Sequence, residues 1–503
     1  MKVLVYAPLA VLGHHFETDL EVIQTHLDKG DDVTVIHCEG ALRPLDFMAC
    51  KGGLRCNYCR SRRTDGMKAL KGASKLHSMV LQPLAKPDFV ISDETLSSIE
   101  GIKTIEFRGV DVGAAYASSL ISDLRDPKPD MTGAIEKTRE AMQLLAGLTE
   151  QVDSILTSVK PDLVYFFNGR FTLYRSLLRL CQIRKIPFLV HERGGNNTTY
   201  SLTENTFPHD IDAKHVEIES FWSREGHTLQ EKLSIGSTWF ENNARGKSGS
   251  WYSFVESQAA SMLPPQWNPD EHNVTLFVSS EDEMAAVPGW EIGIFDSQYE
   301  AVRFILASFS SRPEFRFYVR IHPNLRGLKN KDTDRLRAIG DGFDNCVVIP
   351  PESEVSSYAL LKMSAKTLTC GSTTGIEATY WERPSILIGK AFYMHLGATY
   401  CPASREELIS LVGDRSLPPL PKENAIRYGY WATTIGFPFQ YYRATTLTTG
   451  EFNGIRIRGN PVLMYAHFFF VLLLDLKKIM KGEYGTRHLI EKIKAKLPQL
   501  KWS

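Results

Sequence analysis

Three polar motifs in the second half of the chain have the residue types needed to bind a phosphate group. They are SSEDE (279–283), RIHPN (320–324) and CGSTTGIEA (370–378), and each follows a short apolar run. Small hydroxyl residues at the start of a helix present N–H groups and hydroxyls to an anion, and arginine and histidine add donors. A Gly-Ser-Thr-Thr sequence can also be a plain helix cap, but the neighbouring Arg-x-His-Pro favours phosphate binding.

The surrounding sequence predicts a parallel α/β unit that brings these motifs together. Predicted strands at 274–280, 315–321, 346–350, 366–370 and 385–389 alternate with helical patterns. If their order is 3-2-1-4-5, the loops after strands 1, 2 and 4 converge on one crevice. This predicts a pocket for a nucleotide mono- or diphosphate, in which Glu377 would accept hydrogen bonds from ribose hydroxyls. The predicted pocket residues are Ser280, Glu281, Arg320, His322, Pro323, Gly371, Ser372, Thr373, Thr374 and Glu377.

The first half of the chain predicts a second α/β unit. Strand-like runs at 2–9, 33–38, 162–168 and 186–192 are separated by helical patterns, and their uninterrupted apolar character suits strands covered on both faces. We therefore predict an α/β protein with two Rossmann-like domains. The predicted boundaries are a first domain at 1–215, a polar and irregular linker at 216–265, a second domain at 266–425 and a helical tail at 426–503.

RIHPN followed by a strand that ends in CGSTTGIEATYWERPSILIG resembles glycosyltransferases of the GT-B fold, most closely those of bacterial capsule and surface polysaccharide assembly. The resemblance covers about 266–400. In that family the two motifs hold the donor phosphate, and the matching residues are Arg320, His322, Ser372, Thr373 and Thr374. The resemblance implies an N-terminal acceptor domain, a C-terminal nucleotide-sugar donor domain, and a glycan or lipid-linked acceptor. It also implies no metal or other cofactor, because the helix dipole and basic side chains offset the leaving-group charge.

Other functions share these motifs or this architecture. The two motifs also occur in Kdo and sialic acid transferases and in teichoic acid glycerophosphotransferases, so a polyol-phosphate transferase is an alternative. A non-hydrolysing nucleotide-sugar epimerase has the same two-domain architecture but needs no acceptor. A non-enzymatic scaffold in a polysaccharide complex would leave the polar loops unexplained.

An inverting transferase needs a general base beside the acceptor hydroxyl, and three polar strand ends of the first domain could supply it. They are LGHHFETDLE (12–21), FFNGR (166–170) and HERGG (191–195). The predicted catalytic candidates are Glu17, Asp19, Glu192 and His15, and the predicted acceptor-binding residues are His14, Asn168, Arg170, His191 and Arg193. Alternatively, Glu192 only orders its loop through a salt bridge with Arg170 or Arg193, and the histidines only begin a helix.

Composition limits the remaining possibilities. The chain of 503 residues has 58 basic and 58 acidic residues, which gives no indication of nucleic-acid binding. Its eight cysteines are too few for a disulfide scaffold. Four of them have a spacing that weakly resembles a zinc site, with reduced structural thiols as the alternative. The zinc candidates are Cys38, Cys50, Cys56 and Cys59.

Two apolar segments of the sequence bear on where in the cell the protein is expected to be. The start of the chain lacks the cleavage site of a signal peptide and predicts a first strand of a cytoplasmic protein. The run at 462–478 is too short to span a bilayer, so we expect it to pack back across the first domain. Lys477, Lys478 and Lys481 are expected to make peripheral contact with the inner face of the cytoplasmic membrane.

Overall fold

The structure is a computed structural model that describes residues 1–45, 53–247, 255, 258–446 and 449–480. Its strands are β1 (Lys2–Tyr6), β2 (Asp32–Cys38), β3 (Leu76–Leu81), β4 (Leu163–Phe167), β5 (Phe188–Arg193), β6 (Thr199–Glu204), β7 (His272–Val278), β8 (Phe315–Ile321), β9 (Cys346–Ile349), β10 (Lys366–Thr369), β11 (Ser385–Leu387), β12 (Phe437–Pro438), β13 (Tyr442–Ala444), β14 (Gly450–Phe452) and β15 (Ile455–Arg456). Its helices are α1 (His15–Asp28), α2 (Gly53–Ala69), α3 (Asp93–Leu96), α4 (Ile99–Lys103), α5 (Val112–Leu124), α6 (Ile135–Val159), α7 (Arg175–Arg184), α8 (Ile211–Ser223), α9 (Leu229–Ala244), α10 (Gln298–Ser308), α11 (Lys331–Arg337), α12 (Ser357–Met363), α13 (Thr374–Tyr380), α14 (Arg405–Gly413), α15 (Lys422–Thr434) and α16 (Pro461–Met480).

The second domain is the predicted doubly wound parallel sheet. Its strand order is β11-β10-β7-β8-β9, which is the predicted 3-2-1-4-5 order, and all of its pairings are parallel. Alternate residues of β7 enter different cores: Val274 and Leu276 pack with α10, while Phe277 packs with α12 and α13. Both faces of the sheet are therefore covered, which explains the uninterrupted apolar strands.

The first domain is built on a seven-stranded sheet with the order β12-β6-β5-β4-β1-β2-β3. Strands β1 to β5 are parallel, and β6 and β12 are antiparallel additions at one edge. Strands β3 and β6 were not predicted. Strand β3, LHSMVL, lies at the other edge with three of its six residues exposed, so its sequence lacks the apolar run of a buried strand.

The segment predicted as an irregular linker is largely helical, so that part of the prediction is wrong. It contains most of α8 and all of α9. Helix α9 crosses α15 at glycines on both helices: a Cβ atom on Gly236 would lie 2.4 Å from the carbonyl oxygen of Ile426, and one on Gly429 would lie 2.3 Å from that of Gly236. The pairing combines this close backbone approach with aromatic packing, since the rings of Trp239 and Tyr428 lie 5.4 Å apart.

The described part of the C-terminal tail contacts the first domain. The Glu21 carboxylate in α1 accepts hydrogen bonds from the backbone N–H groups of Gln440, Tyr441 and Tyr442, and α16 packs against α2. In the part of the tail that the structure describes, the helices are α15 and α16, and strands β12 to β15 lie between them. No helix among the described residues is both long and apolar enough to cross a membrane. Lys481 and the side chains of Lys477 and Lys478 lie outside the described part.

Candidate functional site

The three predicted loops meet in one cavity. The loops after β7, β8 and β10 share the carboxyl edge of the second sheet, as its strand order requires, and they surround a cavity of about 1040 Å³. All of the predicted pocket residues line it: Ser280, Glu281, Arg320, His322, Pro323, Gly371, Ser372, Thr373, Thr374 and Glu377. The structure therefore brings the predicted pocket together, and contact with a phosphate stays a prediction.

His322, at the end of β8, is a neutral hydrogen-bonding group. Its Nδ1 accepts a hydrogen bond from the backbone N–H of Asn324 at 3.0 Å, so the proton of the neutral ring lies on Nε2. Burial, reinforced by the positive charges of Arg320 and Arg125, lowers the pKa of His322 to about 4. In the protein without a ligand this imidazole is neutral at pH 7, and its Nε2–H can donate a hydrogen bond to a phosphate oxygen.

Arg320 holds a neighbouring loop in place through two of its guanidinium N–H groups. Its guanidinium donates to the carbonyl oxygens of Pro350 at 2.6 Å and Ser353 at 3.3 Å, and the residue is 1% exposed. These two bonds use two of the five guanidinium N–H groups, and they fix the loop after β9 against the cavity wall. Arg320 also lines the cavity, and its contact with a phosphate stays a prediction.

The Gly-Ser-Thr-Thr loop has features of both a helix cap and a ligand-binding loop. The Thr369 hydroxyl accepts hydrogen bonds from the N–H groups of Gly371 at 3.3 Å and Ser372 at 2.9 Å, and the Ser372 hydroxyl accepts one from the N–H of Thr374 at 3.3 Å. This is capping chemistry. The Thr374 hydroxyl, however, is buried without a hydrogen-bond partner, and because it lines the cavity it can donate to a ligand.

Glu377 closes the same side of the cavity. Its carboxyl group accepts hydrogen bonds from the hydroxyls of Thr373, at 3.0 Å, and Tyr358. Burial raises the pKa of Glu377 to about 7. Each carboxyl oxygen has a second lone pair, so the predicted acceptance of ribose hydroxyls is compatible with these bonds.

Glu281 has properties that the sequence did not reveal. It lines the cavity, and its pKa is raised to about 7, chiefly by burial and secondarily by the Asp332 carboxylate. A group whose pKa lies near the ambient pH suits general acid–base catalysis. The sequence predicts only donor binding for Glu281, because nothing in the motif SSEDE indicates which of its carboxyl groups is desolvated.

Part of the cavity wall comes from elements of the first domain that the sequence does not predict. The lining residues from the first domain are Glu100, Lys103, Pro127 and Lys128, from α4 and the chain after α5. Next to them, Arg125 donates to the Ser280 hydroxyl at 2.9 Å and to the Asp282 carboxylate at 2.5 Å. These bonds fix the loop after β7 to the first domain, so the cavity has walls from both domains.

The predicted catalytic and acceptor-binding residues of the first domain do not line this cavity. Glu17 is 0% exposed, forms an ion pair with Arg62, and accepts the backbone N–H of His14 at 2.8 Å. Arg62 also donates to the carbonyl oxygen of Ile457 at 3.2 Å, which ties α1, α2 and the tail together. These contacts indicate a structural role for Glu17 rather than the predicted base.

Asp19 and the histidines form a second buried group. The Asp19 carboxylate contacts His191 Nε2 at 2.7 Å, and the ring of His191 lies 6.2 Å from that of His15. Burial lowers the pKa of His15 well below its ordinary value. His14 Nε2 donates to the carbonyl oxygen of Thr446 at 3.0 Å. The structure thus brings these candidates together, but in the interior of the first domain.

Glu192 is the first-domain candidate with a connection to the cleft. It accepts a hydrogen bond from Asn168 Nδ2 at 2.5 Å, and burial raises its pKa despite the opposing charges of His191, Arg170 and Arg193. Arg170 in turn donates to the carbonyl oxygen of Glu283, which lines the cavity. Asn168 is therefore the residue that holds the Glu192 side chain by a hydrogen bond. Arg170 and Arg193 lower the pKa of Glu192 through their positive charges.

The two glycines of HERGG allow another part of the chain to approach the loop closely. The Gly195 N–H donates to the carbonyl oxygen of Ile435 at 2.8 Å, and a Cβ atom on Gly195 would lie 2.6 Å from the carbonyl oxygen of Ala432. Gly194 donates to the carbonyl oxygen of Thr199 at 3.1 Å. The loop is thus the place where the chain after α15 crosses back to the first domain, and only glycine permits that approach.

The predicted zinc set is not assembled by the described residues. Cys38 Sγ accepts the Gly40 N–H at 3.2 Å, and Cys59 Sγ accepts the Ala10 N–H at 3.2 Å, while Cys50 lies outside the described part. Among the described residues, no group of three His, Cys, Asp or Glu side chains could hold a metal ion. An Asp-x-Asp sequence does occur at 332–334, so the expectation of metal independence depends on the resemblance alone.

The comparisons with known proteins agree with the predicted resemblance. Residues 289–407 match the model of the family described as capsule polysaccharide biosynthesis protein, which includes much of the cavity wall. No curated protein sequence matches the chain. The resemblance to capsule-type proteins is thereby confirmed for this segment.

Several solved structures are similar to the chain at low identity. A Thermosulfurimonas dismutans KpsC, titled beta Kdo 2,4 transferase, has 14% identity and a TM-score of 0.35, covering 54% of this chain and 79% of its own. A putative UDP-N-acetylglucosamine 2-epimerase from Listeria monocytogenes has 12% identity and a TM-score of 0.27, covering 86% and 92%. The spinosyn rhamnosyltransferase SpnG has 12% identity and a TM-score of 0.27, covering 87% and 98%. Scores this low carry no argument about activity.

Proposed function

We propose that this chain is a glycosyltransferase of capsule polysaccharide biosynthesis that transfers a sugar from a nucleotide-activated donor to a glycan or lipid-linked acceptor. The observation that carries the proposal is the convergence of the predicted loops on one cavity with walls from both domains. The capsule family match overlaps two of the three loops. A scaffold protein would have no need of such a cavity lined by convergent polar groups.

The donor would lie along the carboxyl edge of the second sheet. His322 Nε2 and the buried Thr374 hydroxyl are the donors proposed for its phosphate oxygens, and Glu377 is the acceptor proposed for a ribose hydroxyl. The cavity volume of about 1040 Å³ accommodates a nucleotide sugar, because ordinary ligand pockets measure about 300–1,000 Å³. The sugar would then face Glu281 and the wall formed by the first domain.

The proposed reaction is an inverting displacement. An acceptor hydroxyl oxygen attacks the anomeric carbon, the bond from that carbon to the phosphate oxygen breaks, and the nucleotide leaves with the bonding electron pair. The hydroxyl proton passes to a general base, for which we propose Glu281. Glu281 and Glu377 both have a pKa of about 7, but Glu377 already accepts hydrogen bonds from Tyr358 and Thr373. Hydrogen bonds from His322 and Thr374 would stabilise the charge on the leaving phosphate, so the mechanism is proposed to be independent of metal.

The proposal is tested by incubating the purified chain with a panel of nucleotide sugars, with and without glycan and lipid-linked acceptors, and analysing the products by mass. We expect a glycosylated acceptor and a free nucleotide only when both substrates are present. Conversion of the nucleotide sugar without an acceptor would instead identify an epimerase. Transfer from a nucleotide-activated polyol, with a phosphate retained in the product, would identify a polyol-phosphate transferase.

The same assay tests the metal prediction. Turnover should persist when EDTA is present throughout the reaction. Loss of turnover that magnesium or manganese restores would contradict metal independence without contradicting sugar transfer. A fall in melting temperature that only zinc reverses would support the cysteine site.

A further inference from the structure

Helix α9 contributes two side chains to the wall of the cavity. Trp239 and Asn243 both line it, and because they are four residues apart they share one face of the helix. Both residues lie outside the segment 289–407 that matches the capsule family. They also lie in the segment that the sequence predicts as a linker, which gives no indication of a ligand.

Contacts with α13 fix the position of α9 beside Glu377. The rings of Phe240 and Tyr380 stack at 4.3 Å with an interplanar angle of 5°, and the Tyr380 hydroxyl donates to the Glu241 carboxylate at 3.4 Å. Glu377 lies in the same helix α13, three residues before Tyr380. The part of the cavity next to α9 is therefore close to the carboxyl group proposed to accept a ribose hydroxyl.

Aromatic side chains from three helices line this part of the cavity: Trp239 of α9, Tyr358 of α12 and Tyr428 of α15. The ring of Trp239 packs against that of Tyr428 at 5.4 Å with an interplanar angle of 81°, and the Tyr358 hydroxyl donates to Glu377. We call these three rings, together with Asn243, the α9 chamber. Such rings suit a nucleobase, since every base has a π face that can stack on an aromatic side chain.

Asn243 supplies the α9 chamber with a hydrogen-bonding group. The residue is half-buried, and within the described part of the chain its side-chain amide has no hydrogen-bond partner. An amide offers an acceptor oxygen and two N–H donors in one plane. This combination matches the adjacent donors and acceptors along the edge of a nucleobase, so the amide is available to a base that stacks on Trp239.

We propose that the α9 chamber binds the base of the nucleotide, with Trp239 stacking on the base and Asn243 recognising its hydrogen-bonding edge. The base, ribose and phosphate would then contact the α9 chamber, Glu377 and His322 in that order. The inference rests on the proposed function, because the position of the base follows from the ribose contact proposed for Glu377. Asn243 is thereby a specificity-determining residue on a helix outside the matched family segment.

The stacking contact is tested by titration calorimetry with nucleotides that carry no sugar. The probes are the 5′-mono- and 5′-diphosphates of uridine, thymidine, cytidine, guanosine and adenosine, with ribose 5-phosphate as the probe that lacks a base. Trp239→Ala should weaken binding of the preferred nucleotide about tenfold or more and leave the affinity for ribose 5-phosphate unchanged. Trp239→Phe keeps an aromatic ring and should retain most of the nucleotide affinity.

Asn243 is tested by the selectivity between bases. Asn243→Ala should reduce the ratio of affinities between the preferred and the next-best base about tenfold, because the edge of the base loses its hydrogen-bond partner. Asn242→Ala is the matched control, since Asn242 neighbours Asn243 on α9 but does not line the cavity, and its ratio should equal that of the wild type. If Trp239→Ala lowers the melting temperature, the selectivity of Asn243→Ala decides the proposal.

The outcomes separate this inference from the proposed function. Sugar transfer with a nucleotide affinity and base preference that neither Trp239→Ala nor Asn243→Ala alters would refute the base site and leave the proposed function intact. Weaker binding of a glycan acceptor by these variants, with unchanged nucleotide affinity, would assign the α9 chamber to the acceptor and overturn the proposal. Base-selective binding that depends on Asn243, without transfer to any acceptor, would support the base site and contradict the proposed function. The absence of nucleotide binding would refute both.

Discussion

Arg125, just after α5 in the first domain, donates through Nε to Oδ2 of Asp282, in the loop after β7 of the second domain, at 2.5 Å. The side chains are 26% and 4% exposed, so the bond is largely shielded from water. The same arginine donates to the Ser280 hydroxyl at 2.9 Å, and its carbonyl oxygen accepts from Asn330 at 2.9 Å. One first-domain residue thus holds the acidic loop at the mouth of the candidate donor pocket.

Replacing this arginine tests that connection. Arg125→Ala should lower the free energy of unfolding by about 1–3 kcal/mol, because the buried Asp282 carboxylate loses a charged hydrogen-bond donor. It should also raise the KM for the donor, since the acidic loop is no longer held against the first domain. Chemical denaturation and steady-state kinetics measure the two effects. Lys86→Ala, which removes an exposed ion pair with Glu140, is the control and should cost less than about 1 kcal/mol.

His322→Ala should weaken donor binding about ten- to a hundredfold, because a hydrogen bond to a charged phosphate contributes about 1.5–3 kcal/mol. Titration calorimetry with the donor or its nucleotide product gives the affinity directly. The pKa of His322 is about 4, so we expect no titration of this contact between pH 6 and 9. The exposed His77, changed to Ala, provides the control. Unchanged donor affinity with normal folding would remove His322 from the phosphate site.

Glu281→Gln should reduce kcat about a hundredfold while changing donor affinity little, because a general base acts on the acceptor in the transition state. The pKa of about 7 gives the sign of the pH effect. The free carboxylate is the basic form, so wild-type kcat/KM should rise with pH up to about 7, and the variant should lose that rise. Rates of acceptor glycosylation across this range provide the measurement.

Glu192→Gln is the comparison variant for the base, because Glu192 is the first-domain candidate connected to the cleft through Arg170. Gln can still accept the hydrogen bond from Asn168, so the fold should be preserved. If Glu281 is the base, this variant should retain most of its turnover. A hundredfold loss in Glu192→Gln alongside an active Glu281→Gln would return the base to the first domain.

Glu17→Gln should affect stability rather than turnover. It leaves the buried Arg62 guanidinium without its carboxylate, and breaking a buried ion pair costs about 3–5 kcal/mol. Denaturant unfolding at pH 7 should show this loss, while the turnover per folded molecule stays near the wild-type value. Glu140→Gln is the matched control, because it breaks an exposed ion pair with Lys86. A normally stable Glu17→Gln with strongly reduced kcat would restore Glu17 as a catalytic candidate.

The sequence alone was sufficient to predict the second domain and the three loops that line one side of its pocket. Strands covered on both faces must be continuously apolar, so β7, β8 and β10 were recognisable from composition. In a parallel sheet their carboxyl ends share an edge, so the polar residues that follow them had to converge. Ser280, His322 and Thr374 could therefore be placed in one cavity without any knowledge of side-chain contacts.

Only the tertiary structure decided what the polar groups do. Glu17 and Arg62 lie 45 residues apart in sequence, and nothing local predicts their ion pair. Arg320 donates to carbonyl groups of a loop whose path the sequence does not predict. The pKa of Glu281 depends on burial and on Asp332, which are properties of the assembled cavity. Strand periodicity is a local property of the chain, whereas desolvation and hydrogen-bond partners arise from segments distant in sequence. Desolvation and hydrogen-bond partners are what distinguish the candidate base, Glu281, from structural carboxylates such as Glu17.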